Sequence, residues 1–253
     1  MLISNDSDFK NLPERSDGPF IFSQNNQYLD FNLGSGSFIL GHRSKVLLEA
    51  LSYAKGNGTL FVGGCNILEQ FYLSMSKCHP NLESFVLSNT GTEAVLRSIR
   101  IARGLTGKNK IILLSGAWHG SHDQTLFNYL DIKDNQKEAL SKGIPNCTAD
   151  NVIFIDPFSS NIEEIISTHK DVACILFEPI QGALPIGLPN SFYESLSNIC
   201  LKNEIIPIFD EIISGHRVSE SGIYNLFNEL PSFLYPIESQ IIIELANNLS
   251  GDN

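Results

Sequence analysis

Polar residues follow several predicted strands of this 253-residue sequence, where ligands of α/β proteins are commonly bound. Gly91 and Thr92 come after the β-prone stretch 84–87 and begin a predicted helix. Their small side chains leave the N–H groups of the helix N-terminus accessible to a phosphate or another anion. Glu178 and Asp210 end two later predicted strands and supply carboxylates. A helix cap and strand-end salt bridges would explain the same residues, and spacing alone favours that structural explanation.

Metal-binding residue types are present without the arrangement that a metal site needs. His119, His122 and Asp123 lie close together in a segment where no predicted helix or strand fixes their spacing, so we predict no metal site. The five cysteines are odd in number and form no Cys-x-x-Cys pair. This argues against a disulfide framework or a zinc site and favours reduced thiols in the cytoplasm. His42 is interpreted as a capping or packing residue.

Strands and helices alternate along the second half of the chain, which predicts an α/β fold with a mostly parallel sheet and flanking helices. A hairpin over 19–31 precedes this part, and a polar surface excursion is predicted over 131–150. Val95, Ile99 and Ala102 form an apolar stripe on the helix after Gly91. The predicted strands are 84–87, 110–114, 152–155, 173–177 and 205–209, and the predicted helices are 43–55, 66–78, 92–103, 161–169 and 190–202.

Composition limits the classes of partner. The net charge of −11 argues against nucleic acid and anionic membranes as partners. No apolar stretch is long enough to span a bilayer, and the first ten residues lack the pattern of a signal peptide. We therefore expect a soluble protein of the cytoplasm.

Several ordered motifs resemble the signature series of class III aminotransferases, which are pyridoxal-phosphate enzymes of fold type I. Within that class the chain is most similar to glutamate-1-semialdehyde aminomutase and its relatives, over roughly residues 18–218. Several motifs in order are far more specific than any one of them. The motifs are Asn-Thr-Gly-Thr-Glu-Ala at 89–94, Ala-Arg at 102–103, Thr-Gly-Lys at 106–108, Trp-His-Gly at 118–120, Glu-Pro at 178–179 and Asp-Glu at 210–211.

The resemblance implies a role for each matching residue. Gly91 and Thr92 would hold the phosphate of the cofactor, and Trp118 and Ile212 would lie against opposite faces of its ring. Asp210 would pair with the pyridinium nitrogen, so that the ring accepts electrons from the substrate. Glu178 would lie near the cofactor pocket. The implied cofactor-binding residues are therefore Gly91, Thr92, Trp118, Glu178, Asp210 and Ile212.

The sequence departs from the family after the Asp-Glu motif. Family members carry their Schiff-base lysine a few tens of residues further on, whereas no lysine follows Lys202 in this chain. No catalytic residue is therefore assigned, because no other side chain replaces the lysine amine well. We expect a C-terminally truncated member: a hairpin and helix segment at 1–58, a partial large domain at 59–227, and a non-matching tail at 228–253.

The same departure predicts an incomplete sheet. In fold type I, two late strands lie between the first strand and the strand that carries the aspartate. Without them, the stretch 84–87 would lack hydrogen-bonded neighbours on one side. Its unpaired backbone groups would then be unfavourable if they were buried. We predict fewer than seven strands in the family arrangement, with 239–245 as a possible substitute for one.

Three hypotheses follow. The first is a family member that keeps cofactor-binding residues but is inactive alone. The second is an active enzyme whose lysine comes from another chain or from Lys108, Lys110 or Lys202. The third is a non-catalytic α/β binding or interaction protein. We favour the first. The resemblance further implies a small-molecule amino donor and acceptor, and a homodimer.

Overall fold

The computed structural model describes residues 12–58, 64–80, 82, 84–131, 136–158, 162–183, 185, 187–223 and 235–237. The chain divides into two compact units with a boundary between Lys77 and Cys78. The division at residues 58 and 227, which rests on family resemblance and not on compactness, stays a prediction.

The first unit contains a small antiparallel sheet and two helices. The hairpin predicted over 19–31 is confirmed, since β2 pairs with β3 around a short turn. Ser44 Oγ accepts a hydrogen bond from Leu47 N at 3.3 Å and begins α1. His42 has a structural contact, with its Nε2 2.7 Å from Asp30 Oδ2. The elements are β1 (Arg15–Asp17), β2 (Phe20–Ser23), β3 (Asn26–Leu29), α1 (Lys45–Asn57) and α2 (Asn66–Cys78), whose last residue already belongs to the second unit.

The second unit is a parallel sheet with helices on its faces, as predicted. Its strand order is β10-β9-β8-β4-β7, and all pairs are parallel. A separate antiparallel pair, β5 and β6, falls partly within the excursion predicted over 131–150. The elements are α3 (Gly91–Thr106), β4 (Lys110–Leu114), β5 (Phe127–Asp131), β6 (Gln136–Ala139), a 3-10 helix (Asn146–Asn151), β7 (Val152–Ile155), α4 (Ile162–Thr168), β8 (Val172–Phe177), α5 (Asn190–Asn203), β9 (Ile206–Asp210) and β10 (Tyr235–Ile237).

Alternate residues of the strands pack into two apolar cores, because successive side chains of a strand point to opposite faces. In β4, Ile111 and Leu113 contribute to the core under α3, whereas Ile112 and Leu114 contribute to the core under α4 and α5. The apolar stripe predicted on α3 is confirmed, since Val95, Ile99 and Ala102 are all buried. The sheet is therefore the middle of three layers.

The prediction of a strand at 84–87 is wrong. The structure describes these residues and places them in no strand. A strand is stable only with a hydrogen-bonded partner, however β-prone its residues are. Here the carbonyl of Leu87 accepts from the Arg97 side chain instead, at 2.7 Å. Five strands of the large sheet are described, and the substitute strand suggested at 239–245 lies outside the described residues.

Candidate functional site

The N-terminus of α3 presents free backbone donors. Thr90 caps the helix, with its Oγ1 accepting from Glu93 N at 3.1 Å. The Glu93 carboxylate in turn accepts from Asn89 N at 2.9 Å. These bonds satisfy the cap but leave the N–H groups of Gly91 and Thr92 without a hydrogen-bond partner among the described residues. An anion at this position would receive both donors and the partial positive charge of the helix end.

Gly91 lies in close contact with the segment after β9. A Cβ atom at Gly91 would overlap Cδ1 of Ile212, so any other residue here would require the Ile212 side chain to move. Ile212 is two residues beyond Asp210, and its N–H donates to Asp210 Oδ1 at 3.2 Å. The helix N-terminus and the carboxylate at the end of β9 are therefore joined through one side chain.

The loop after β4 crosses between α3 and β8. Trp118 N donates to Glu178 Oε2 at 2.9 Å, and Ser121 N donates to Thr92 Oγ1 at 3.0 Å. Between these bonds the backbone approaches α3 closely at Gly120. The Trp118 side chain, 55% exposed and the only tryptophan of the chain, leaves a broad aromatic face open to a ligand.

A buried hydrogen bond between two side chains lies at the end of β9. Asp210 Oδ2 is 2.8 Å from His119 Nδ1, and each side chain is 2% exposed. Because an ionised carboxylate only accepts, the geometry suits a His119 whose Nδ1 carries the proton. Each carboxylate oxygen can accept more than one hydrogen bond, so Asp210 keeps capacity for a further donor. His119 Nε2 is buried and has no partner among the described residues.

Glu178 holds two loops together. Its side chain is 4% exposed, and in addition to Trp118 N it accepts from Gly182 N at 3.1 Å. Burial raises the pKa of Glu178, while the hydrogen bond from the Trp118 amide opposes the shift. The carboxyl therefore serves first as an acceptor that fixes the backbone of the Trp118 loop.

The six residues predicted to bind a cofactor are thus brought to one place. Glu178 and Asp210 share the parity of the strand residues that pack under α3, so both carboxylates lie on the α3 side at the carboxyl edge of the sheet. The arrangement combines anion donors, an aromatic face and a buried acceptor. Direct contacts connect the set, namely Gly91 with Ile212, Thr92 with Gly120 and Ser121, Trp118 with Glu178, and His119 with Asp210.

Sequence reasoning missed His119 and Gly120 as parts of this site. The sequence gives His119 a place in a family motif and a metal-binding residue type but no role, and the structure shows it hydrogen-bonded to Asp210. Its position inside the Trp-His-Gly motif was the available signal. Groups of three or more metal-ligating side chains are absent from the part of the chain that the structure describes. Nearby, burial lowers the pKa of His122 to about 4.

The three candidate lysines lie at the opposite edge of the sheet. Lys110 is the first residue of β4 and pairs with the first residue of β8. Lys108 Nζ donates to the carbonyls of Asn203 and Glu204, at 2.5 and 3.1 Å, just before β9 begins. Lys202 lies in the last turn of α5. A strand rises roughly 3.3 Å per residue, so the ends of the five-residue β4 are about 13 Å apart.

Comparison with known proteins identifies the family to which this chain belongs. The sequence profile described as "Aminotransferase class-III" matches residues 3–226, which is most of the chain. The chain belongs to the class III aminotransferases. Among curated relatives, the glutamate-1-semialdehyde 2,1-aminomutase of Methanocaldococcus jannaschii is 35% identical over 233 residues, covering 88% of this chain and 54% of that protein.

Solved structures agree with the fold. A structure titled "Transaminase with PLP bound" superposes with a TM-score of 0.76 at 25% identity, over 86% of this chain and 52% of that one. A glutamate-1-semialdehyde-aminomutase variant from Pseudomonas aeruginosa PAO1, in complex with PMP, gives a TM-score of 0.76 at 18% identity, over 94% and 56%. The predicted family, fold class and family cofactor, pyridoxal phosphate, are confirmed.

The chain spans about half the length of the relatives it matches. Its described helices include none with the length and apolar composition needed to cross a membrane.

Proposed function

We propose that this chain binds pyridoxal phosphate at the carboxyl edge of its sheet and, taken alone, does not transfer amino groups. The observation that carries the proposal is the contact network that joins Gly91, Thr92, Trp118, Glu178 and Asp210. These residue types match what a phosphorylated pyridine ring requires. Family membership supports the identity of the cofactor.

The residues present fit the group. The first turn of α3 offers two backbone donors, and the missing Cβ at Gly91 lets Ile212 close one side of the space beside them. An anionic phosphate is stabilised there by the helix end. When bound, pyridoxal phosphate supplies an electron sink for reactions at an amino-bearing carbon.

The side chains of this chain would bind and orient the cofactor. Asp210 would accept a hydrogen bond from the proton-bearing nitrogen of the ring, and His119 would hold that buried carboxylate in place through its own hydrogen bond. Trp118 would cover one ring face and exclude water from it. Glu178 would fix the position of Trp118 by accepting a hydrogen bond from its backbone N–H. In these roles the side chains would bind the cofactor, orient it and keep a proton on its ring nitrogen.

In the family, proton transfer at the substrate uses a lysine amine, and the candidate lysines of these 253 residues lie away from the site. No lysine follows Lys202 in the sequence, and Lys108 and Lys110 lie at the amino edge of the sheet. Amino-group transfer of the glutamate-1-semialdehyde aminomutase type, with a small-molecule donor and acceptor, would belong to an assembly that supplies the lysine. The proposal includes a homodimer of the family kind in the cytoplasm, where the five free cysteines would stay reduced.

Titration of the purified chain with pyridoxal phosphate tests the proposal. We expect saturable binding of one cofactor per chain, followed by absorbance and equilibrium dialysis. Asp210→Ala should weaken it at least tenfold, or about 1.4 kcal/mol, whereas Asp150→Ala, at an exposed position of the same unit, should leave it unchanged. Absence of saturable binding would favour the alternative, a non-catalytic α/β binding or interaction protein.

A further inference from the structure

We propose that Gly120 is a positioning residue of the cofactor site. It links the hydrogen bonding of the phosphate to the position of the Trp118 ring. This inference rests on the proposed function. Nothing in the sequence motif alone gives Gly120 such a role, because a glycine in a loop after a strand is commonly only a turn residue.

The contact at Gly120 is closer than any side chain permits. Its φ is +87°, and a Cβ atom would lie 2.5 Å from Thr92 Oγ1, 2.9 Å from Thr92 Cα and 3.0 Å from Thr92 Cβ. The last two atoms belong to the backbone and to the branch point of a residue in the first turn of α3. They cannot yield without moving the helix N-terminus or the loop.

The contact lies between two hydrogen bonds that anchor the loop. Trp118 N is held by Glu178 on one side, and Ser121 N is held by Thr92 Oγ1 on the other. Because the Thr92 hydroxyl oxygen accepts from Ser121 N, its own proton stays available for donation. An anion at the N-terminus of α3 is the acceptor that this hydroxyl would face.

One rigid loop therefore sets two features of the site. It directs the Thr92 hydroxyl towards the phosphate position, and it fixes the position of the Trp118 ring relative to α3. Any side chain at residue 120 would push the loop from α3 and break the bond from Ser121 N. We expect the phosphate to lose much of its contribution to binding, while ring contacts made by other residues persist.

Gly120→Ala tests this inference by measuring how much the phosphate group contributes to the binding affinity. Pyridoxamine phosphate and pyridoxamine differ in that group alone, and neither carries an aldehyde that reacts with surface lysines. Binding of each is followed by quenching of the single tryptophan, Trp118. We expect the ratio of the two affinities to fall at least fivefold in Gly120→Ala.

Gly107→Ala is the matched control. Gly107 also has a positive φ, +68°, so an alanine there is strained in its backbone as well, but its Cβ would meet nothing within 4 Å. The affinity ratio should stay at the wild-type value in this variant. An equal fall in both variants, or no fall in either, would overturn the role of Gly120.

Hydrogen exchange of the Ser121 amide separates this inference from the proposed function, since it needs no cofactor. We expect the Ser121 amide to exchange at least tenfold faster in Gly120→Ala than in the wild type or in Gly107→Ala. Unchanged exchange would refute the contact as the cause of the loop position. A wild-type chain that binds neither compound would overturn the proposed function and, with it, the cofactor role of Gly120.

Discussion

Asp210 depends on a partner that lies far from it in the sequence. The family motif pointed to Asp210, but the His119 side chain that meets it is 91 residues away in the chain. Such a pair is fixed by strand order and loop path, which residue types at short spacing do not contain. The six residues predicted to bind a cofactor were identified because they lie in motifs or directly beside one. Their mutual support through His119, Gly120 and Ser121 is a tertiary property.

His122 gives a prediction about pH at the residue scale. Burial lowers its pKa from about 6.5 to about 4, so between these values the unfolded chain binds a proton that the folded chain does not. The folded state therefore loses stability as the pH falls from 6.5 towards 4, by about 1–2 kcal/mol once partial exposure is allowed for.

His122→Asn should remove this part of the pH dependence. Urea unfolding at pH 7.5 and pH 5 would measure it, with the wild type losing more stability between the two conditions than the variant. The comparison uses the difference between two pH values, so a general loss of stability in the variant cancels. Equal pH dependence in both chains would contradict the assignment.

At the scale of elements, local pattern predicted best where the tertiary neighbours agree with it. The strands β4 and β7 and the helix α2 were predicted with the bounds that the structure has. The stretch 84–87 has strand-like residues but no strand neighbour among the described residues, so its β-propensity is not realised. The pair β5 and β6 was partly hidden in a polar segment, since exposed hairpin strands need few apolar residues.

Helix α3 offers a test of how the site is supported. Ile99 is 1% exposed in the core under α3, whereas Ile101, on the same helix, is 39% exposed. We expect Ile99→Ala to lower the free energy of unfolding by about 2–5 kcal/mol through the cavity it leaves. Ile101→Ala should cost under about 1 kcal/mol.

Chemical denaturation followed by circular dichroism would compare the two isoleucine variants. Similar losses in both would show that the α3 core does not support the fold as described. Because the N-terminus of α3 carries the anion donors, Ile99→Ala should also weaken cofactor binding, and Ile101→Ala should not.

At the scale of the whole molecule, the two edges of the large sheet carry different side chains. The residues predicted to bind the cofactor lie at the carboxyl edge of the sheet. The candidate lysines lie at the amino edge, where Lys108 donates to the carbonyls of Asn203 and Glu204 at the end of α5. The absence of a lysine after Lys202 is read from the sequence directly, and the inactivity inferred from it stays a prediction. The sequence could not show that the remaining candidates lie on the wrong side, because that follows from the parallel strand order.

The most direct test of the account is borohydride treatment of the chain after saturation with pyridoxal phosphate, followed by peptide mapping of any labelled lysine. We predict saturable, reversible binding with no lysine labelled in stoichiometric amount. Stoichiometric labelling of one lysine would contradict the claim that the chain binds the cofactor without the amine that amino transfer requires. Failure to bind at all would contradict the cofactor site itself.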